Sequence, residues 1–143
     1  MDHLVERDDL NIRKIEIDEI KRQKYGTTAK CRPEVDFEEA GKQAAEFLRN
    51  GINVAVEEAF CDKAHIDFAL KGANMDASDP RLLIIRLECS VGTAMERKKE
   101  QLDPRIVGEQ YCRVVEDVED EIAFDTEEYC IEEIADTIVK RIT

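Results

Sequence analysis

The spacing of apolar residues alternates along the chain between the two-residue repeat of strands and the 3.6-residue repeat of helices. Strands are predicted at 12–17, 52–56, 82–87 and 121–124. Helices are predicted at 19–25, 36–50, 62–72, 90–99, 107–118 and 131–142, and the first ten residues resemble the end of another helix. This alternation predicts an α/β fold.

Local signals fix several of these boundaries. Gly26 is expected to stop the second helix, and Asn50–Gly51 to close the third. Asp36 is predicted to cap the third helix, with Glu39 as its capping-box partner. Ser90 is predicted to cap the helix that follows the third strand.

Before the last helix, Cys130 stands where an N-cap serine is common, with Glu133 as its capping-box partner.

Strands that alternate with helices predict a mainly parallel sheet covered by helices on both faces, a three-layer α/β/α architecture. The 143 residues suit one domain spanning 1–143. The strand at 82–87 is the most apolar and suits the middle of such a sheet.

The chain is strongly acidic, with 34 Asp and Glu against 21 Lys and Arg and a net charge of −13. This charge disfavours binding to nucleic acids and to anionic membranes. The longest aliphatic run, Leu82–Ile85, is far short of a membrane span, and the first nine residues lack the apolar region of a signal peptide. We therefore expect a cytoplasmic protein that binds no membrane.

Cysteine and histidine offer little material for a metal site. The five cysteines lie far apart, without a CxxC pair, and are expected to be reduced thiols, and there are only two histidines. Acidic residues instead follow the predicted strands: Asp18, Glu57 with Glu58, Glu88, and Asp125. Ligands of parallel sheets gather at the carboxyl ends of the strands, so these carboxylates are candidates for Mg²⁺ binding or for deprotonating a hydroxyl.

Four segments in this order resemble the small-molecule and nucleoside kinases of the P-loop NTPases. They are residues 15–21 (IEIDEIK), 50–57 (NGINVAVE), 84–90 with 94–97 (IIRLECS and AMER), and 124–126 (FDT). These kinases also carry a phosphate-binding loop, G-x-x-x-x-G-K-[S/T], after their first strand, and this sequence has no such loop. We therefore expect the chain to begin inside the first helix of that fold.

The resemblance implies the sheet order 2-3-1-4-5 with strand 1, the central one, missing. The strands at 52–56 and 82–87 would then flank a gap with unpaired backbone groups, each costing about 1–3 kcal/mol when buried. We expect one of three results: the two strands pair directly, another chain fills the gap to give a homo-oligomer, or the domain is marginally stable.

The resemblance also implies residue roles. Asp18 would be the general base that accepts the proton of the substrate hydroxyl, while Lys21 and Tyr25 would bind the substrate. Glu57 would orient Mg²⁺, with Glu58 as the competing candidate. Arg97 and Arg105, beside Lys98 and Lys99, would form the basic lid that neutralises the transferring phosphoryl group, and Asp125 and Thr126 would contact the adenine of ATP.

Two functions follow. The first is ATP-dependent phosphate transfer to a hydroxyl of a small molecule or nucleotide, with little turnover expected from a chain that lacks the phosphate-binding loop. The second is a non-catalytic module that oligomerises or regulates and binds anions weakly through residues 97–105. A metal-dependent hydrolase using the carboxylates is a third alternative.

Overall fold

The computed structural model describes residues 1–7, 10–112, 118–119 and 121–143, which alternate between helices and short strands. The strands are β1 (Ile12–Glu16), β2 (Asn53–Glu57), β3 (Ile85–Glu88) and β4 (Ile122–Asp125). The helices are α1 (Asp2–Val5), α2 (Ile17–Tyr25), α3 (Pro33–Arg49), α4 (Lys63–Ala73), α5 (Val91–Lys98), α6 (Pro104–Tyr111) and α7 (Ile131–Ile142). These residues form two compact units: Met1–Glu58 with Lys63–Pro80, and Ala59–Asp62 with Arg81–Thr143.

The first unit is built on the parallel pair β1–β2, in which Ile12 lies opposite Asn53 and Glu16 opposite Glu57. Its core combines apolar residues of β1, α2 and α3 with two from the N-terminal segment: Leu4, Leu10, Ile15, Ile17, Ile20, Phe37, Ala40 and Ala44. The even register brings the carboxyl ends of both strands to the same level, where α2 begins.

Helices α3 and α4 pack closely because each has a glycine at the crossing. A Cβ atom on Gly41 would overlap the carbonyl oxygen of Ala69, and one on Gly72 would overlap that of Glu38. Nearby, the ring of Phe37 stacks on His65 with 4.7 Å between ring centroids. The apolar face predicted for α3 is therefore the face that packs.

The second unit is built on the parallel pair β3–β4, with Leu87 opposite Phe124. Its core holds residues of β4, α6 and α7 together with Val118: Val107, Val118, Phe124, Ile134, Ala135 and Ile138. Leu87, in the middle of β3, is 57% exposed. Among the described residues β3 pairs with β4 alone, so its other edge carries no strand.

The coarse fold prediction is confirmed: the chain is a mixed α/β protein with parallel strands. In the expected order 2-3-1-4-5, strands 2, 3, 4 and 5 stand for β1, β2, β3 and β4. Without strand 1, that order keeps two pairs of neighbours, β1–β2 and β3–β4, and both pairs are present. In the part of the chain described, β2 and β3 belong to separate sheets, so the direct pairing that was one of three expectations is not formed. The three-layer α/β/α architecture and the organisation as one domain remain predictions.

Several local predictions are also confirmed. Gly26 ends α2 with φ +70°, and Asn50 ends α3 before Gly51, also at φ +70°. Ser90 caps α5, because its side chain accepts a hydrogen bond from the Thr93 N–H. Cys130 and Glu133 form the capping box of α7.

Other boundaries are wrong. Helix α3 begins at Pro33, not after Asp36, because proline suits the first position of a helix; Asp36 therefore lies inside the helix. The third strand runs from Ile85 to Glu88, whereas the prediction was 82–87, and it is not central, since it has one partner among the described residues. Helix α6 runs from Pro104 to Tyr111, whereas the prediction was 107–118, and residues 113–117 of that prediction lie outside the described residues.

Within those residues, none of the helices is long and apolar enough to cross a bilayer.

Candidate functional site

The carboxyl ends of β1 and β2 bring together Asp18, Lys21 and Glu58, which we call the Lys21 cluster. Asp18 lies in the first turn of α2, Lys21 one turn further on, and Glu58 directly after β2. The Lys21 ammonium donates to Asp18 Oδ1 at 3.0 Å and to Glu58 Oε2 at 3.1 Å. One cation thus links the ends of two neighbouring strands.

Burial differs across the Lys21 cluster. The side chains of Lys21 and Glu58 are 11% and 14% exposed, whereas that of Asp18 is 48% exposed. Burial of the ammonium group opposes its charge, but its hydrogen bonds to Asp18 and Glu58 outweigh this, so the pKa of Lys21 lies above its ordinary value. Lys21 is therefore a fixed cation, and Asp18 is the carboxylate that faces solvent.

Asp36 is a fully buried carboxylate that joins α2 to α3. It accepts hydrogen bonds from the Tyr25 hydroxyl at 3.0 Å, from Lys24 Nζ at 3.1 Å and from the Arg32 N–H at 2.8 Å. Burial alone would raise the pKa of Asp36, but these donors, led by the Arg32 N–H, hold it below its ordinary value. Tyr25 is predicted to bind substrate, and in the structure its hydroxyl donates a hydrogen bond to Asp36.

Cys31 lies in the loop before α3, near the Lys21 cluster and Asp36. Burial raises the pKa of the Cys31 thiol. The positive charge of Lys21 lowers this pKa, and the negative charge of Asp36 raises it again. A raised pKa disfavours the reactive thiolate.

Glu57, the residue predicted to orient Mg²⁺, is directed to a different set of charges. Its carboxylate lies 4.0 Å from Lys14 Nζ, which also pairs with Glu16 at 3.2 Å and with Asp2 at 2.6 Å. A lysine ammonium at this position opposes a divalent cation, and the described residues contain no cluster of three metal-ligating side chains. These residues do not fit a Mg²⁺ site at Glu57. Mg²⁺ binding elsewhere in the chain stays an untested prediction.

In the second unit, the start of α5 is covered by the side chain of Glu127. Its carboxylate accepts from the Ser90 N–H at 2.6 Å, from Thr93 Oγ1 at 2.6 Å and from Ser90 Oγ at 3.3 Å. These hydrogen bonds, that from Thr93 foremost, lower the pKa of Glu127. A carboxylate is favoured here because the first N–H groups of a helix carry partial positive charge.

Arg97, at the other end of α5, binds Thr126. Its guanidinium donates to Thr126 Oγ1 at 2.7 Å and to the Thr126 carbonyl oxygen at 3.1 Å. Thr126 is also held by β3, because its N–H and its hydroxyl both donate to the Glu88 carbonyl oxygen, at 2.8 and 2.9 Å. The structure thus brings together two residues with predicted roles: Arg97, predicted to belong to a basic lid, and Thr126, predicted to contact adenine.

The remaining predicted residues make local contacts. Arg105 is 89% exposed, and its guanidinium lies 3.3 Å from Asp103, the residue that caps its own helix. Asp125 accepts from the Glu127 N–H at 2.8 Å and so shapes the turn after β4. Phosphate binding by Arg105 and adenine binding by Asp125 remain predictions.

Glu127 was not singled out from the sequence, and Glu58 was considered only as the alternative to Glu57. Glu58 was the competitor to Glu57, and the alternation of side chains along a strand is the signal that separates the two. Glu127 is 37 residues from Ser90, and no sequence pattern connects them.

No protein-family model, curated protein or solved structure matches this chain.

Proposed function

We propose that the chain carries the acceptor-binding and nucleotide-binding parts of an ATP-dependent phosphotransferase that acts on a hydroxyl of a small molecule or nucleotide. The observation that carries the proposal is the Lys21 cluster, which lies at the carboxyl ends of two parallel strands. Ligand sites of parallel sheets form at this edge.

In this proposal Asp18 is the general base. Its carboxylate is half exposed, so a bound hydroxyl can reach it, while Lys21 fixes its orientation through the 3.0 Å hydrogen bond. Glu58 holds Lys21 from the buried side. Since a hydroxyl must lose its proton as it attacks the phosphoryl group, a positioned carboxylate supplies what the acceptor half of the reaction requires.

The nucleotide half belongs to the second unit in this proposal. Asp125 and Thr126 contact the base, and Arg105, which is exposed, neutralises phosphate charge. No step uses a metal held by Glu57. Because the sequence contains no G-x-x-x-x-G-K-[S/T] segment, we expect the purified chain to transfer little or no phosphate by itself.

The test is a nuclear magnetic resonance titration of the isotope-labelled chain with ATP and, separately, with a panel of sugars and nucleosides. Support requires saturable shifts of the Thr126 and Glu127 amides with ATP, and of the Asp18 and Lys21 amides with one class of hydroxyl compound. Asp79→Asn, in a turn outside the Lys21 cluster and outside residues 126–130, is the control variant and should respond as the wild-type chain does. The absence of any saturable shift at millimolar ATP contradicts the proposal.

The second candidate, an oligomerising module, is favoured by one observation. Leu87 is 57% exposed in the middle of a strand that has one neighbour among the described residues. Exposed edge strands with apolar side chains pair readily with other chains. Concentration-dependent mass in light scattering that Leu87→Ser abolishes supports this candidate, whereas a monomer at all concentrations rules it out.

A further inference from the structure

We propose that Arg97 and Glu127 are positioning residues that hold the loop between β4 and α7, residues 126–130, against α5 and so preform it for a nucleobase. This inference rests on the proposed function, because it assigns a role to the loop expected to contact adenine. In this inference Arg97 supports the loop that binds the nucleobase and does not neutralise phosphate charge, which is left to Arg105.

The first attachment is Glu127 at the start of α5. Both carboxylate oxygens are used: Oε2 accepts from the Ser90 N–H, and Oε1 accepts from the hydroxyls of Thr93 and Ser90. Hydrogen bonds to an ionised acceptor are about twice as strong as those between neutral groups. The loop is therefore tied to α5 by a charged group and not by backbone contacts alone.

The second attachment is Arg97, from the last turn of α5. Two different guanidinium nitrogens reach two atoms of one residue, the hydroxyl and the carbonyl oxygen of Thr126. A lysine cannot reproduce this fork, because its three N–H groups share one nitrogen, whereas the guanidinium holds two donor nitrogens at a fixed spacing. With both nitrogens on Thr126, the guanidinium is directed at the loop.

The two attachments act on neighbouring residues of a five-residue loop, and Thr126 has a third tie to Glu88 on β3. A loop held in one conformation before binding loses little entropy on binding, which raises affinity for a rigid ligand such as a purine base. The Glu127 carboxylate also neutralises the start of α5, so an uncharged base suits this place better than a phosphate.

The first experiment measures amide hydrogen exchange of the full chain without ligand. Arg97→Lys breaks the forked contact with Thr126, and Glu127→Gln removes the charge that Ser90 and Thr93 face, so each should speed exchange of the 126–129 amides by about tenfold. Glu128→Gln, which removes the same charge from the next, exposed residue, is the matched control. Exchange in both variants equal to that of Glu128→Gln overturns the proposal.

The second experiment uses two separate probes, adenosine and inorganic triphosphate. Arg97→Lys should weaken adenosine binding by about tenfold, the loss of one charge-assisted hydrogen bond, and leave triphosphate binding unchanged. A loss for triphosphate alone returns Arg97 to the phosphates. An equal loss for both probes, or no loss for either, also overturns its assignment, although the proposed function stands in all three cases. If the wild-type chain binds neither probe, the proposed function fails and the nucleobase role of the loop fails with it.

Discussion

At the scale of single residues, the strongest prediction concerns the stability effect of replacing Asp36. Replacing it with asparagine keeps the side-chain shape but removes the charge that faces Lys24, the Tyr25 hydroxyl and the Arg32 N–H. An amide has one acceptor oxygen where the carboxylate has two, so at this fully buried site at least one of the three donors loses its partner and the others lose a charged one. We expect Asp36→Asn to lower the free energy of unfolding by roughly 2–3 kcal/mol, measured by urea denaturation.

Glu34→Gln is the matched control for Asp36→Asn, because Glu34 also lies in the first turn of α3 and is exposed. It removes the same charge near the start of the helix, where the helix dipole contributes about 0.3–1 kcal/mol. Equal losses for the two variants would mean that the dipole, and not the hydrogen bonds, stabilises this region.

The neighbours Glu57 and Glu58 give a second prediction at this scale. Glu58→Gln removes a charged partner from Lys21, which is 11% exposed, so we expect a loss of roughly 1–2 kcal/mol in unfolding free energy. Glu57→Gln changes a side chain that is 49% exposed and 4.0 Å from Lys14, and should stay within about 0.5 kcal/mol. Thermal and urea unfolding of both variants provide the comparison, and a larger effect from Glu57→Gln would contradict it.

The sequence predicts local relations between these residues better than distant ones. Asp18 and Lys21 are three residues apart on a helix, so their contact follows from helix geometry. Glu58 joins them only through the pairing of β1 with β2, and it lies 37 positions after Lys21 in the chain. Tyr25 and Asp36 meet because α3 starts at Pro33, a boundary that the caps alone did not reveal.

At the scale of secondary-structure elements, the crossing of α3 and α4 depends on two glycines. Gly41→Ala or Gly72→Ala adds a methyl group that would overlap a backbone carbonyl oxygen of the opposite helix. Backbone atoms cannot move aside as a flexible side chain can, so the helices must separate. We expect a loss of roughly 1–3 kcal/mol in unfolding free energy, despite the better helix propensity of alanine.

Gly92 in α5 is the control, because a Cβ atom there would meet no atom within 4 Å. Gly92→Ala should stabilise the chain by about 0.5–1 kcal/mol through helix propensity. If Gly41→Ala were stabilising as well, the close packing of α3 on α4 would be contradicted.

The identity of most elements could be predicted, because each depends on periodicity and caps within a few residues. Ser90 and Cys130 were placed correctly since their partners lie within three residues. The extent of β3 could not be predicted, because a strand ends where its partner ends, and the partner β4 lies 37 residues further along the chain. The apolar run Leu82–Ile84 therefore precedes the strand.

At the scale of the whole molecule, charge decides the response to acid. The chain carries a net charge of −13, which acts against compaction at neutral pH. Proton uptake by carboxylates between neutral and weakly acidic pH reduces this repulsion. By contrast, the pKa values of Asp36, Asp103 and Glu127 are lowered in the folded chain, so these groups resist protonation in acid.

The sign of the pH dependence follows from these lowered values. A carboxylate with a lowered folded pKa contributes its full stability above its unfolded pKa of about 4, and that contribution is lost as the pH falls through the folded value. We expect the free energy of unfolding to be level or slightly higher at weakly acidic pH than at neutral pH, and to fall below about pH 4. Urea denaturation at constant ionic strength measures this curve, and Asp36→Asn should flatten its acid limb because one titrating group is gone. A wild-type curve that kept rising below that pH would show that charge repulsion outweighs the hydrogen-bonded carboxylates.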